Sequence, residues 1–280
     1  MIDDRATTQH HDKLARAYAV GDGVMLDGAM RTPVVVRIGA EAHDERIAFT
    51  VPLRDDEPAK PAGVPRHALR VPPHLPLRDA LCLPASWPKI YMALVRRLNV
   101  GPRDAVLIHD AHTAGGMLAC LLAASLDADV LAICDTAGHA RRAIAMGAME
   151  ATTIGSAWPE LIREHGGADV VLDPAGGRYA GASTICARRH ARIGVLDGAP
   201  PMGIDDEQWQ RIFSKQLTLT AADWSPLRDA TVVHEAAASF DAITRTDAWT
   251  RYVALRDKSI TPDDGDGMPT DEPHWIPIET

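Results

Sequence analysis

The residues best suited to chemistry lie in one short stretch. Asp110-Ala111-His112-Thr113-Ala114-Gly115-Gly116 follows the apolar run Ala105-Val106-Leu107-Ile108 and precedes an Ala- and Leu-rich segment, residues 115–126. A strand, a turn of small residues and a helix start in that order make a phosphate site. The first N–H groups of the helix point at the anion, its dipole favours negative charge, and small side chains let the backbone approach. A dinucleotide site also needs an acid at the end of the next strand for the adenosine ribose. Asp135 stands 19 positions after Gly116, directly behind Asp129-Val130-Leu131-Ala132-Ile133-Cys134. It favours NADH, by accepting from the ribose diol and repelling a 2′-phosphate. His139, Arg141 and Arg142 follow and would attract that phosphate. A full G-x-G-x-x-G is absent, and an ordinary strand–helix turn without a ligand fits the turn alone.

The elements around this turn must hold it. Ala140 to Met146 reads as a helix, while Ala168-Asp169-Val170-Val171-Leu172 and Arg192-Ile193-Gly194-Val195-Leu196 read as strands. Continuous apolar strands alternating with helices predict a parallel sheet covered on both faces. Before it, Val34-Val35-Val36-Arg37-Ile38 and Arg46-Ile47-Ala48-Phe49-Thr50-Val51 are β-branched runs bounded by Gly, Asp and Pro. Residues 55–65, with three prolines, predict a loop. Pro76 to Ala80 open a helical stretch, and an irregular tail is expected from Thr261.

Composition sets limits. The chain has 280 residues, 46% apolar and 24% charged, enough for one large or two modest domains. Its net charge of −9 argues against nucleic acid and anionic membranes as partners. Met1-Ile2-Asp3-Asp4 lacks the apolar core of a secretory leader, and no apolar run approaches the length of a membrane span. Cys82, Cys120, Cys134 and Cys186 sit in apolar segments without a CxxC pair. Buried, reduced thiols and a cytoplasmic location are the expectation.

Further motifs carry a family resemblance. Val64-Pro65-Arg66-His67-Ala68-Leu69-Arg70-Val71-Pro72 looks like the strand leading into the cofactor domain of medium-chain dehydrogenases/reductases. Leu83-Pro84 with Tyr91-Met92-Ala93-Leu94, Val106 to His109, and Ala145-Met146-Gly147-Ala148 resemble the family's "LP…TAY-x-AL", "VLVHG" and "xLGA". Ala168 to Gly177 is close to "ADVVLDxVGG", and Lys215-Gln216-Leu217-Thr218-Leu219 resembles "KxLTL". Order and spacing match the quinone and enoyl reductase branch. The match is good over about 64–220, weak over 21–63, and nearly absent beyond.

The resemblance implies a Rossmann-type doubly wound parallel sheet over residues 78–247. It also implies a reduced GroES-like β domain over 1–77, and a return segment with tail over 248–280. It implies a zinc-independent oxidoreductase, using NADPH or NADH on an activated alkene, quinone or carbonyl, and a homodimer paired through the sheet edge. The cofactor-binding set becomes Ala111, His112, Thr113, Ala114, Gly115, Gly116, Asp135, Thr136, Arg141 and Asp173. Some related polyketide enoyl reductases carry a similar Ser-Thr-Ala turn, whose threonine hydroxyl donates to phosphate. Thr113 is expected to do likewise, whereas Asp110 puts a carboxylate where the family has glycine. Lys89 falls where the family has threonine, and Asp197 where it has glycine. These two are the catalytic candidates, with a solvated helix lysine and a turn aspartate as the plain alternatives. No cysteine precedes Cys82, so neither catalytic nor structural zinc is expected.

Two other readings stay open. The charged residues fit a nicotinamide-independent cyclase, isomerase or dehydratase, with Lys89, Asp197, Asp110 and His112 as acid–base groups. A non-catalytic, self-associating or partner-binding protein on the same scaffold is the third.

Overall fold

The structure, a computed structural model, describes residues 22–26, 33–38, 46–50, 53–54, 57–58, 69–75, 87–155, 157–174, 179–196, 204–222 and 230–256. The chain divides into two compact units, one of Met1–Pro88 with Ser225–Thr244, the other of Lys89–Trp224 with Arg245–Thr280.

The first unit holds a four-stranded antiparallel sheet. Its strands are β1 (Asp22–Leu26), β2 (Pro33–Ile38), β3 (Arg46–Thr50) and β6 (Leu69–Arg70), in the order β1-β2-β3-β6. The two expected β-branched runs are β2 and β3. Residues 55–65 are not wholly loop, because β4 (Leu53–Arg54) and β5 (Glu57–Pro58) pair as a short hairpin. Proline is tolerated there since a two-strand ribbon has only edges. A later helix of the chain, residues Ala230–Ile243, also belongs to this unit. The Trp87 indole Nε1–H donates to its Ala236 carbonyl at 2.9 Å, and the Trp87 ring meets Phe240 edge-on at 5.3 Å. A buried indole needs such an acceptor, since an unpaired N–H would carry its full desolvation cost.

The second unit is a six-stranded parallel sheet. Its strands are β7 (Ala105–Ile108), β8 (Asp129–Cys134), β9 (Glu150–Thr153), β10 (Ala168–Asp173), β11 (Ala187–Leu196) and β12 (Thr218–Ala222). The spatial order β12-β11-β10-β7-β8-β9 is the doubly wound Rossmann order, with its switch point between β7 and β10. All five ladders are parallel. The helices are α1 (Trp87–Tyr91, continued by a π-helical turn Met92–Arg97), α2 (Ala114–Ser125), α3 (Ala137–Ala145), α4 (Trp158–Glu164), α5 (Ala180–Cys186), α6 (Asp206–Lys215), then α7 (Ala230–Ile243, in the first unit) and α8 (Asp247–Arg256). Helix α8 covers the start of the segment expected to return after residue 247, as far as Arg256. Pro76–Ala80 and the stretch from Thr261 lie outside the described residues.

Alternation of strand side chains divides the core. Leu107, Leu131, Ile133, Val171 and Ile193 join Trp158 and Ile162 in one cluster. Val106, Ile108, Val130, Ala132 and Val170, equally buried, point to the other face. There α2 packs on β7 and β8, with α8 against its far side. Leu118, Cys120, Leu121, Leu122 and Ala123 of α2 are all buried, so a helix apolar all round sits where it must. Gly194 makes room for Leu98, whose Cδ1 would stand 2.7 Å from a Cβ on it.

Candidate active site

The turn between β7 and α2 is pinned on both sides of the switch point. The His109 N–H donates to the Leu172 carbonyl of β10 at 3.1 Å, and the Ala111 N–H donates to Ile133 of β8 at 2.9 Å. Asp110 between them has φ 46°. This left-handed region suits glycine, and aspartate tolerates it better than most. Its carboxylate Oδ1 accepts from the Tyr179 hydroxyl at 3.3 Å.

Thr113 is the N-cap of α2. Its Oγ1 accepts the Gly116 N–H at 3.0 Å and donates to the Asp110 carbonyl at 2.9 Å. The hydroxyl expected to donate to phosphate is therefore occupied with the turn itself. A single O–H proton cannot serve two acceptors fully, and a local cap satisfies it first. With the Gly116 N–H taken, those of Ala114 and Gly115 are left by helix geometry for an acceptor outside the helix.

The two glycines differ. A Cβ on Gly116 would lie 2.2 Å from the Asp110 carbonyl oxygen and 2.6 Å from Ala111 Cα, whereas one on Gly115 would meet nothing within 4 Å. Gly116 thus lets helix and turn touch, and Gly115 leaves an open space at the helix mouth. That is the cradle a pyrophosphate requires, so the residues present fit the group.

Beyond β8, Asp135 and His112 come together. Asp135 Oδ1 is bonded to Nδ1 of His139, and His112 Nδ1 lies 3.7 Å from the same oxygen. The two imidazoles stack with centroids 5.3 Å apart. Thr136 caps α3, accepting the His139 N–H at 3.2 Å. Arg141 is exposed one turn into that helix.

Asp173, at the end of β10, is fully buried and accepts the Tyr179 N–H at 2.6 Å. Lys89 is not a solvated lysine, for it is 5% exposed on α1. Asp197 lies outside the described residues. So do Cys82, Leu83-Pro84 and the first five residues, Val64 to Ala68, of the motif that runs to Pro72.

The motif reading missed the role of His109. Its ring is fully buried, stacked on Tyr179 at 4.7 Å and edge-on to Trp158 at 4.7 Å. Its Nε2 lies 3.0 Å from Ser183 Oγ, while Nδ1 has no partner. Burial pushes its pKa down to about 3, so the ring is neutral. Nor did any signal foretell the Tyr179–Asp110 contact, which joins residues 69 apart. The Asp135–His139 spacing of four at a helix start could have been read as a pair. Among the described residues no group of three or more His, Cys, Asp or Glu is placed to hold a metal ion.

The chain shares its fold with solved quinone oxidoreductases and with an alcohol dehydrogenase superfamily protein. It superposes on the quinone oxidoreductase of Thermus thermophilus, solved also with NADPH, with a TM-score of 0.56 at 23% identity over 82% of this chain and 73% of that one. For the Escherichia coli quinone oxidoreductase complexed with NADPH the TM-score is 0.58 at 16% identity, over 79% and 70%. For the Pseudomonas syringae quinone oxidoreductase it is 0.59 at 18%, over 79% and 70%. In sequence, 110 residues are 34% identical to a highly reducing polyketide synthase of Aspergillus carbonarius, covering 38% of this chain and 4% of that protein's length. No protein-family model matches the chain.

Proposed function

We propose that the protein is a zinc-independent, NAD(P)H-dependent reductase of an activated alkene, quinone or carbonyl. The observation that carries this is the pair of glycines. Gly116 is jammed against the Asp110 carbonyl while Gly115 opens onto free space, at the head of α2 and at the switch point of a Rossmann-ordered sheet. Backbone N–H groups of Ala114 and Gly115 would take the pyrophosphate, with Ala111, His112 and Thr113 shaping the turn. Asp173 would hold Tyr179, whose N–H it accepts, beside the turn. Asp135, Thr136 and Arg141 would form the adenosine end. A bound nicotinamide supplies the hydride. Lys89 and Asp197 are proposed to orient the substrate's polar group and move its proton. The antiparallel strands of the first unit are proposed to be the reduced GroES-like domain over 1–77, ahead of a cofactor domain at 78–247.

The Asp110 carboxylate, held by Tyr179, need not face the phosphate, which removes the main electrostatic objection to the turn. A homodimer is part of the proposal. β12 is the outer strand of the sheet, and α6 just before it exposes Trp209 and Phe213, at 54% and 83%. Buried Cys120, Cys134 and Cys186, all unpaired, support a reducing, cytoplasmic setting.

Titration of the purified protein with NADPH and NADH, followed by calorimetry, tests the reading. Binding of at least one in the micromolar to submillimolar range is expected. Binding of neither at millimolar concentration overturns it, in favour of nicotinamide-free acid–base chemistry on the same scaffold.

A further inference from the structure

The acid at the end of the second strand of such a sheet ordinarily offers its oxygens to the 2′- and 3′-hydroxyls of an adenosine ribose. By charge it turns away a 2′-phosphate. Asp135 holds that position, yet its carboxylate is engaged. Oδ1 accepts from His139 Nδ1, which must carry the proton because a carboxylate only accepts. His112 closes on the same oxygen from the β7–α2 turn, with Nδ1 at 3.7 Å, shielded from solvent and without a hydrogen-bond partner. The imidazoles stack over one another, so one carboxylate oxygen is enclosed by two rings from two different elements. The side chain remains about half exposed, and the site is reachable. Past His139, α3 continues into Arg141 and Arg142.

We propose that His139 and His112 are specificity residues that convert the Asp135 position from a ribose-diol acceptor into a site for 2′-phosphorylated adenosine, so that the chain selects NADPH over NADH. The inference rests on the dinucleotide reading of the turn. With Oδ1 committed to His139, the carboxylate cannot present both oxygens to the diol, and its repulsion of a phosphate is offset by the donor bound to it. Arg141 and Arg142 supply cationic donors on the same helix, and the capped N-terminus of α3 adds its dipole. Asp135, Thr136, His139 and His112 are contiguous through hydrogen bonds and ring contact, so the selection is built into the apoprotein.

The test uses two adenosine probes without nicotinamide, adenosine 2′,5′-bisphosphate and adenosine 5′-monophosphate, which differ only in the 2′-phosphate, with their dissociation constants measured by calorimetry. The wild-type chain is expected to bind the 2′-phosphorylated probe at least tenfold more tightly. His139→Ala frees Asp135 and should lower that ratio at least tenfold. In an Asp135→Asn background the same His139→Ala change should shift the ratio much less, because the histidine acts through the carboxylate. Thermal melting checks that each variant is folded. Equal or tighter binding of the 5′-monophosphate by the wild type overturns this inference and leaves the dinucleotide reading standing. So does a ratio indifferent to His139→Ala. Binding of neither probe overturns both.

Discussion

Gly116 lies so close beneath Asp110 that a methyl group on it would stand 2.2 Å from the Asp110 carbonyl oxygen. One residue earlier, Gly115 has nothing before it within 4 Å. Helix and turn are thus in backbone contact at one glycine and open to a ligand at the other. The Thr113 hydroxyl bridges the same carbonyl to the Gly116 N–H and holds that contact in register.

The two glycines should separate stability from binding. Gly116→Ala must displace backbone and is expected to cost about 1–3 kcal/mol or more. Gly115→Ala should leave the melting temperature unchanged or raised, since alanine is favoured over glycine within a helix by up to about 1 kcal/mol, while weakening nucleotide binding at least tenfold. Thermal melts and calorimetry on both variants check this. Full nucleotide affinity in Gly115→Ala would remove the pyrophosphate from that space.

His109 should make the fold acid-sensitive in a defined window. Its folded pKa is about 3, against roughly 6.5 for an unfolded histidine. Below 6.5 the unfolded chain takes up a proton that the folded one refuses. Stability is therefore flat above 6.5 and falls as pH drops towards 3, by up to about 1.4 kcal/mol per pH unit from this group. Urea unfolding at pH 7.5, 6.5, 5.5 and 4.5 should show this component in the wild type and not in His109→Phe. Parallel pH profiles would refute it.

Lys215 should act as a structural clasp. Its Nζ donates to the carbonyls of Thr184, Ile185 and Ala187 at 2.8, 2.9 and 2.9 Å, closing the C-terminus of α5 where carbonyls lack helical donors. Lys215→Met strands those acceptors and is expected to cost about 2–3 kcal/mol. The readout is the urea midpoint at neutral pH, with nucleotide affinity retained under native conditions.

Cys120, Cys134 and Cys186 should be inert in the folded protein. Burial pushes the thiols of Cys120 and Cys186 up to about 12 and raises that of Cys134 as well. Thiolate is the reactive form. Ellman titration of native protein is expected to leave these three unreacted, and denaturation to release all four thiols of the chain. Rapid native reaction of more than one thiol would contradict the burial.

Phe213 should report on self-association. Phe213→Glu places a charge on the exposed apolar face of α6 and is expected to shift a dimer towards monomer in sedimentation velocity, without loss of helical signal. An unchanged sedimentation coefficient would take α6 out of the interface.

The strands β7, β8 and β10 and helix α2 were legible in the chain because continuous apolar runs and Ala–Leu stretches encode burial locally, through periodicity. β11 was legible only in its apolar half, Arg192–Leu196. Its start, Ala187-Arg188-Arg189-His190, is mostly exposed, and of these residues Ala187 is in register with β10, ahead of an irregularity that ends at Arg192. The amphipathic helix α6 went unread for a related reason, since Trp209, Ile212 and Phe213 are its few apolar residues. At the site, sequence spacing alone determined the small-residue turn and the acid 19 positions on, because both lie within one strand–helix–strand unit. Tertiary structure decided what those residues do. It spent the Thr113 hydroxyl on the cap, turned Asp110 to Tyr179, buried Lys89 and His109, and set His112 and His139 against one oxygen of Asp135. The Thr113 cap and the Asp135–His139 pair are local, within four residues, but the Tyr179 and His112 contacts and the burial of Lys89 and His109 depend on which side chains meet across separate elements, and a linear pattern carries no record of that.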